Sequence, residues 1–344
     1  MNADFYSDTQ TLPSEGMLRS VIGIETGDER RHACPVTNRL CQRVADLFEM
    51  EAAVFLPSGS MCNQIAVAVH TNPGDEIICA RESHIIFAEC GGLAKLSGAM
   101  VSPVDAQRGI FSAQQVVSAY RLPSSFAPRS RLVVTEQTSN LGGGAVWPLE
   151  ELQSVALQAR ALGLATHMDG ARILNAASAS GHSVAEFCKY QDSAWLAFTK
   201  GLGCPIGAVL AGSKEFIDEA WHFKRMFGGA MRQTGVLTAM CLYALDNNVD
   251  RLCDDHALAQ MILGRLADNP IFQSIYPVET NIILARISDQ VTLSAAELRD
   301  VLAAKGAKVM AVGKKQIRIV THLDVGTAEA NYLVDVLNKY GDSL

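Results

Sequence analysis

Asp169 and Lys200 are the residues whose types and positions point most directly to chemistry. Asp169 lies in His167-Met168-Asp169-Gly170-Ala171-Arg172, and Lys200 in Phe198-Thr199-Lys200-Gly201-Leu202-Gly203. Each segment closes an apolar stretch that reads as a buried strand. In an open α/β sheet, ligands collect at the carboxyl ends of the strands. A lysine there can form a Schiff base with an aldehyde. A carboxylate there can keep a ring nitrogen protonated, so that the ring serves as an electron sink. The apolar neighbours of Lys200 favour its neutral, nucleophilic amine. Each residue also has an ordinary reading. Lys200 can be a loop lysine, Asp169 can cap the turn through Gly170 and Ala171, and Arg172 can pair with Asp169.

Together, the two segments are what chemistry on pyridoxal phosphate (PLP) requires. Its phosphate needs a cradle. Pro57-Ser58-Gly59-Ser60-Met61-Cys62-Asn63 follows a strand and opens a helix, where backbone N–H groups and hydroxyls can receive an anion. The segment lacks the ending of a Walker loop and the spacing of a dinucleotide fingerprint.

The elements that must position these residues alternate. Thr37–Met50 has a helical apolar period through Leu40, Val44, Leu47 and Phe48, with Thr37 as candidate cap. Ala52–Leu56 reads as a strand, followed by a helix through Val67. Further strands are expected at Glu76–Ala80, Met100–Val104, Arg131–Glu136, Ala165–Asp169, Trp195–Thr199 and Ile206–Ala211, with a helix at Leu149–Leu162. A long helical bridge is expected over 213–247. Beyond it, helices at 255–266, 294–305 and 327–340 mix with short strands at 280–287, 307–312 and 316–320. The pattern implies an α/β fold: a large domain (37–247) with a mostly parallel sheet, and a small C-terminal α+β domain (248–344). Residues 1–36 form an N-terminal segment.

Composition narrows the classes. The 344 residues are 49% hydrophobic and 19% charged, enough for a sizeable core. A net charge of -7 without a basic run disfavours nucleic acid and anionic membrane as partners. No apolar run has the length of a membrane span, and the N-terminus does not read as a secretion signal. The nine cysteines form no C-x-x-C pair, which suits a reducing cytoplasm. No H-E-x-x-H occurs, and no catalytic metal is expected.

An ordered set of segments resembles the threonine aldolase family of PLP-dependent fold type I enzymes, the aspartate aminotransferase superfamily. It comprises Ser7-Asp8-Thr9, Pro35 with Asn38-Arg39-Leu40, the Pro57–Asn63 segment, Glu82-Ser83-His84, Glu89-Cys90-Gly91-Gly92 and Glu136-Gln137-Thr138-Ser139-Asn140. It continues through the Asp169 and Lys200 segments, Gly228-Gly229-Ala230-Met231-Arg232-Gln233 and Arg318-Ile319-Val320-Thr321-His322. The resemblance implies a seven-stranded sheet in the large domain and retro-aldol cleavage of a β-hydroxy-α-amino acid to glycine and an aldehyde. It implies Lys200 as the Schiff-base lysine, Asp169 as the pyridinium partner, and His84 as the imidazole stacked on the cofactor. Gly59 and Ser60 resemble the phosphate loop. Arg225 and Arg232 resemble phosphate contacts given by a neighbouring subunit of a homodimer or homotetramer, and Arg172 also belongs to the cofactor's surroundings. Ser7, Arg172 and Arg318 resemble the group that grips the substrate carboxylate.

Two positions depart from the family pattern. Arg31 stands where the family usually has a tyrosine that reaches a site across the dimer, and Ser139 stands where it has a histidine. Both family residues lie on the side of the β-substituent. If Arg31 faces the substrate, an anionic side chain such as that of 3-hydroxyaspartate is expected to be preferred over threonine; otherwise Arg31 belongs to a solvated charge cluster. Other PLP reactions on the same scaffold, β-elimination or racemisation, and a non-catalytic relative are the alternative readings.

Overall fold

The computed structural model describes residues 3–342. The described residues open with a short strand, β1 (Ala3–Asp4). The next seven strands form one sheet: β2 (Ala52–Leu56), β3 (Glu76–Ala80), β4 (Met100–Val104), β5 (Ser130–Glu136), β6 (Ala165–Asp169), β7 (Ser193–Ala197) and β8 (Ala208–Gly212). Their order is β2-β8-β7-β6-β5-β3-β4. Neighbours from β4 to β7 run parallel, and only β8 runs against the rest. The reversal has a simple cause. A turn of ten residues, 198–207, joins β7 to β8, too short for the crossover that a parallel pair needs. Every residue of β3, β7 and β8 is buried, as expected for strands covered on both faces.

The helices refine the sequence-based expectations. The first long helix runs Pro35–Phe48, two residues earlier than its apolar period indicates, with Pro35 in its first turn. Proline suits that position, where the missing N–H has no intrahelical partner to lose. Thr37 therefore lies inside the helix, and its hydroxyl bonds Thr234 and Thr238 at 2.7 and 3.1 Å. The expected bridge over 213–247 is two helices, Lys214–Met226 and Gly235–Asn247. They break at Gly228, which has φ of +78°, and Gly229, where a Cβ would lie 2.4 Å from the Met61 sulfur.

The C-terminal part contains β9 (Phe272–Ile275), β10 (Ile282–Ile287), β11 (Ala307–Lys308), β12 (Met310–Val312) and β13 (Gln316–Val320). Its antiparallel sheet has the order β12-β13-β10-β9, with β9 an addition to the expected strands. The expected strand at 307–312 divides. Its first half pairs in parallel with β1, and its second half joins β13. Thus the N-terminus is built into the C-terminal part, and Ala3 and Phe5 are buried in its apolar cluster. Among the described residues, no helix is long and apolar enough to cross a membrane.

Asp8 ties these pieces together. Both of its carboxylate oxygens accept from Arg172, Nε and Nη2 each at 2.7 Å. Asn281, just before β10, donates to the same carboxylate at 3.1 Å. Burial alone would raise the Asp8 pKa, but Arg172 outweighs it and holds the carboxyl well below its ordinary value. Asp8→Asn leaves a buried guanidinium unpaired and should cost about 3–5 kcal/mol of stability at pH 7. Because the folded-state pKa is depressed, the ionised carboxyl stabilises fully above its ordinary 3.8 and loses this contribution as pH falls below that value. Urea unfolding at pH 7 and near pH 3.5 should therefore show the gap between wild type and variant narrowing in acid.

Candidate active site

A cleft of about 350 Å³ opens at the carboxyl ends of β5, β6 and β7. Tyr6, Ser7 and Thr9 of the N-terminal segment line it, with His84, Glu136, Asp169, Arg172, Trp195 and Lys200 of the sheet domain, and Arg318 of β13. The three separate regions of chain expected to supply the site do meet.

Lys200 lies in the turn after β7, which ends at Ala197 rather than Thr199. The turn closes through Gly203 N–H to the Lys200 carbonyl at 2.9 Å, with Gly203 at φ of +73°. The Thr11 hydroxyl donates to the same carbonyl at 3.0 Å, so the N-terminal segment also fixes the lysine. Burial and then Arg172 lower the Lys200 pKa, partly opposed by the charges of Asp8, Asp169 and Glu136. Its ammonium lies 5.6 Å from the Trp195 ring centre.

Asp169 ends β6 and is buried. One oxygen accepts from Ala171 N–H at 3.1 Å, so the turn-capping reading holds too; the other accepts from Asn63 Nδ2 at 2.8 Å. Burial pushes its pKa up, against the opposing charges of His84 and Lys200 and the Asn63 hydrogen bond. A buried carboxylate in this condition gains most from a cation placed against it. The protonated nitrogen of a pyridine ring is such a group, and Asp169 faces the cleft. The residues present thus fit PLP.

His84 forms one wall. Its Nδ1 bonds Glu89 at 2.9 Å, and its main-chain N–H donates to Glu136 at 2.8 Å. Burial lowers its pKa, but Glu89, Asp169 and Glu136 outweigh that and raise it overall. Asn63 joins Glu89 to Asp169, since its Nδ2 donates to both at 2.8 Å, while its Oδ1 accepts from Trp195 Nε1 at 2.7 Å. Gly59 and Ser60 open the helix Gly59–His70, with Ser58 as its cap. Gly59 lies against the indole, where a Cβ would be 2.1 Å from the ring. Only glycine lets this helix terminus approach the Trp195 wall.

The two arginines of the cleft differ. Arg172 is already committed to Asp8 rather than to Asp169. Arg318 has no carboxylate partner among the described residues. Its Nη1 donates to Asn140 Oδ1 at 2.6 Å, Nη2 reaches the Tyr6 carbonyl at 3.5 Å, and buried Nε has no partner among the described residues. Burial and the neighbouring Arg172 bring its pKa down to about 10. Ser7 is buried beside them and caps Thr9 N–H at 3.3 Å.

Six expected residues, Gly59, Ser60, Arg31, Ser139, Arg225 and Arg232, are not part of the cleft lining. Arg31, Arg225 and Arg232 are exposed and do not line the cleft of their own chain. Arg232 pairs with Asp28 at 2.9 Å, and Arg225 donates to the Arg30 carbonyl at 3.1 Å. Ser139 is buried behind the cleft, packed against Gly109 and Gly142. The preference for an anionic substrate expected from Arg31 has no basis within one chain. Conversely, Asp8, Asn63, Glu89, Glu136, Asn140 and Trp195 hold the site without having been assigned roles. Asp8 and Glu136 stand in the quoted segments, but sequence does not select them from 36 acidic residues.

Comparison with known proteins places this geometry in a class. Residues 4–290 match the family described as beta-eliminating lyase, and the chain belongs to that family. It is 34% identical over 343 residues to low-specificity L-threonine aldolase 1 of Arabidopsis thaliana, covering 98% of this chain and 96% of the relative. It is 35% identical over 323 residues to the low specificity L-threonine aldolase of Escherichia coli K12, covering 94% of each. Among solved structures, the threonine aldolase of Leishmania major matches with a TM-score of 0.84 at 19% identity, over 98% of this chain and 99% of the other. A structure described as SPT with a PLP internal aldimine matches at 0.73 and 16% identity, over 99% of this chain and 87% of the other. These structures share the fold type I architecture.

Glu136 makes the site sensitive to pH. Its two oxygens accept the main-chain N–H groups of His84 and Asn140, each at 2.8 Å. Burial, then the Asp169 charge, push its pKa up to about 7, against those N–H groups and His84. A carboxyl raised in the folded state stabilises it most below its ordinary 4.5 and loses that contribution as pH rises through 7. In cofactor-free protein, the advantage of wild type over Glu136→Gln in melting temperature should be largest near pH 5 and shrink by pH 8. Parallel curves would show that Glu136 does not titrate in this range.

Proposed function

We propose that the protein is a PLP-dependent aldolase that cleaves the Cα–Cβ bond of a β-hydroxy-α-amino acid, releasing glycine and an aldehyde. The observation that carries this reading is one cleft containing a lysine of lowered pKa, a buried carboxylate in no salt bridge, and a guanidinium with no carboxylate partner, among the described residues. The names of the relatives, threonine aldolases at 34–35% identity over nearly the whole chain, support it.

In this reading Lys200 would hold the cofactor aldehyde, and Asp169 would keep the pyridine nitrogen protonated. His84 would form the wall against the ring, and the helix terminus at Gly59 and Ser60 would receive the phosphate. The bound cofactor would supply an electron sink for the pair left by Cα–Cβ cleavage. Arg318 grips the substrate carboxylate, which fixes the orientation of that bond, and Ser7 lies beside it. Arg172 acts on the same group through its position, being already neutralised by Asp8. With Nδ1 bonded to Glu89, His84 keeps Nε2 to accept the proton of the β-hydroxyl.

The active unit in this reading is a homodimer with shared sites, cytoplasmic like its reduced cysteines would favour. Arg225 and Arg232 then serve the phosphate of the second copy. Their presentation is built in. Buried Lys224 bonds Glu29 at 2.8 Å, Glu29 accepts the Met231 N–H at 2.5 Å, and Glu29 N–H donates to the Arg232 carbonyl at 3.0 Å. Exposed Ile22, Met226 and Val236 lie close in the chain to this loop.

Glycine release from threonine and β-phenylserine tests the activity; a keto acid with ammonia instead would assign β-elimination. Lys200→Ala should abolish turnover with the fold retained, and borohydride reduction should label Lys200. Asp169→Asn should lower kcat by about 100- to 1000-fold, the scale of a lost electrostatic contact to the reacting system. Arg318→Ala should raise KM by roughly 10–100-fold. Sharing has its own check. Mixing inactive Lys200→Ala with inactive Arg232→Ala should restore part of the activity, because one mixed site regains both residues; no recovery would refute the shared site.

A further inference from the structure

A second cavity of about 330 Å³ adjoins the cleft, and the proposed reaction gives it no role. The two share a wall of Phe87, Leu141, Val312 and Gly313. The second compartment adds Glu82, Ala106, Arg108, Gly109, Tyr276 and Gln316. Its lining is mainly apolar and aromatic, and its two charged groups differ in their commitments. Each nitrogen of the Arg108 guanidinium already has a partner. The group donates to the Gly142 carbonyl at 2.9 Å, to Glu279 at 2.5 Å and to the Pro277 carbonyl at 2.9 Å, and lies 6.0 Å from the Tyr276 ring centre. Glu82 is different. One of its carboxylate oxygens is buried without a hydrogen-bond partner among the described residues. The compartment therefore presents flat apolar surfaces and one unmatched negative group.

We propose that this compartment receives the β-substituent of the substrate, and that it selects a bulky, aromatic-sized group carrying a hydrogen-bond donor or positive charge at its far end. The inference rests on the aldolase reading and refines its substrate class. A β-methyl group needs only the first compartment. A ring passing the shared wall would meet Phe87, Leu141 and Tyr276, and a donor beyond it would satisfy Glu82. An anionic terminus would meet the Glu82 carboxylate with no free cation to offset it, because Arg108 is already paired.

The test compares kcat/KM of the intact holoenzyme for threonine, β-phenylserine, and β-phenylserines bearing a para-aminomethyl or para-carboxyl group, scored by glycine release. Wild type should rank aminomethyl above phenyl above carboxyl. Glu82→Gln should cut the advantage of the aminomethyl substrate by about tenfold, the scale of one charge-assisted hydrogen bond. Gln316→Trp, which narrows the second compartment alone, should depress all three phenylserines. Both variants should leave threonine turnover unchanged, which also shows that they fold. If wild type does not discriminate among the phenylserines, or if neither variant alters them relative to threonine, the assignment is overturned while the aldolase reading stands. No glycine from any substrate would overturn the aldolase reading, and the subsite with it.

Discussion

The site depends on neutralising one buried guanidinium. Arg172 is 5% exposed and Asp8 not at all, so neither charge has enough water to stand alone. Their two-pronged contact joins the N-terminal segment to the turn after β6, and Asn281 brings in the C-terminal part through the same carboxylate. Three regions far apart in sequence are therefore in place together or not at all. The pairing also determines which arginine remains available. With Arg172 satisfied inside the protein, Arg318 is left with neutral partners only, and that is the condition of a residue awaiting an anion.

The remaining charges of the cleft follow the same logic. Glu89 and Glu136 are buried acids held mainly by hydrogen bonds: Glu89 by Asn63, Gln64 and His84, Glu136 by two main-chain N–H groups. Each ties a wall of the cleft to its floor. Glu89 links the His84 ring through Asn63 to Asp169. Glu136 links the His84 backbone to Asn140, and Asn140 carries Arg318. The His84 and Arg318 walls of the cleft therefore share a carboxylate, and loosening it moves both. Asp169 also accepts two hydrogen bonds, from Asn63 and Ala171, and burial still raises its pKa.

Much of this was legible in sequence where short-range rules suffice. Strand ends at Asp169 and near Lys200 follow from buried apolar runs that stop at glycine-rich turns, and β3, β4 and β6 have the expected bounds. The helix over 35–48 was visible from its apolar period, with the start displaced by the proline. What was not legible depends on long-range pairing. Nothing local distinguishes Asp8 from other acids until Arg172 is placed against it. The division of 307–312 between β1 and β13 requires knowing that the N-terminus returns to the C-terminal part. The location of Arg31, Arg225 and Arg232 on the surface is equally a matter of which chain's cleft is considered, since one copy presents them to solvent.

The serine at position 139 acts by shape. Its hydroxyl touches no cleft surface. It occupies the place toward which Gly109 and Gly142 turn, and a Cβ on those glycines would lie 2.1 and 2.7 Å from Ser139 Oγ. Gly109 has φ of +78° and follows Arg108 at φ of +56°, so this short turn is held in the left-handed region on both residues. A larger side chain at 139 would need the volume that the turn now fills. Displacing the turn would move Arg108 off Tyr276, Glu279 and the Pro277 carbonyl, and with it one side of the second compartment. The small residue therefore lets the 108–109 turn form a wall. Its effect on substrate choice would pass through that wall, at a distance from the reacting atoms, while Lys200, Asp169 and Arg318 keep the geometry common to the cleft.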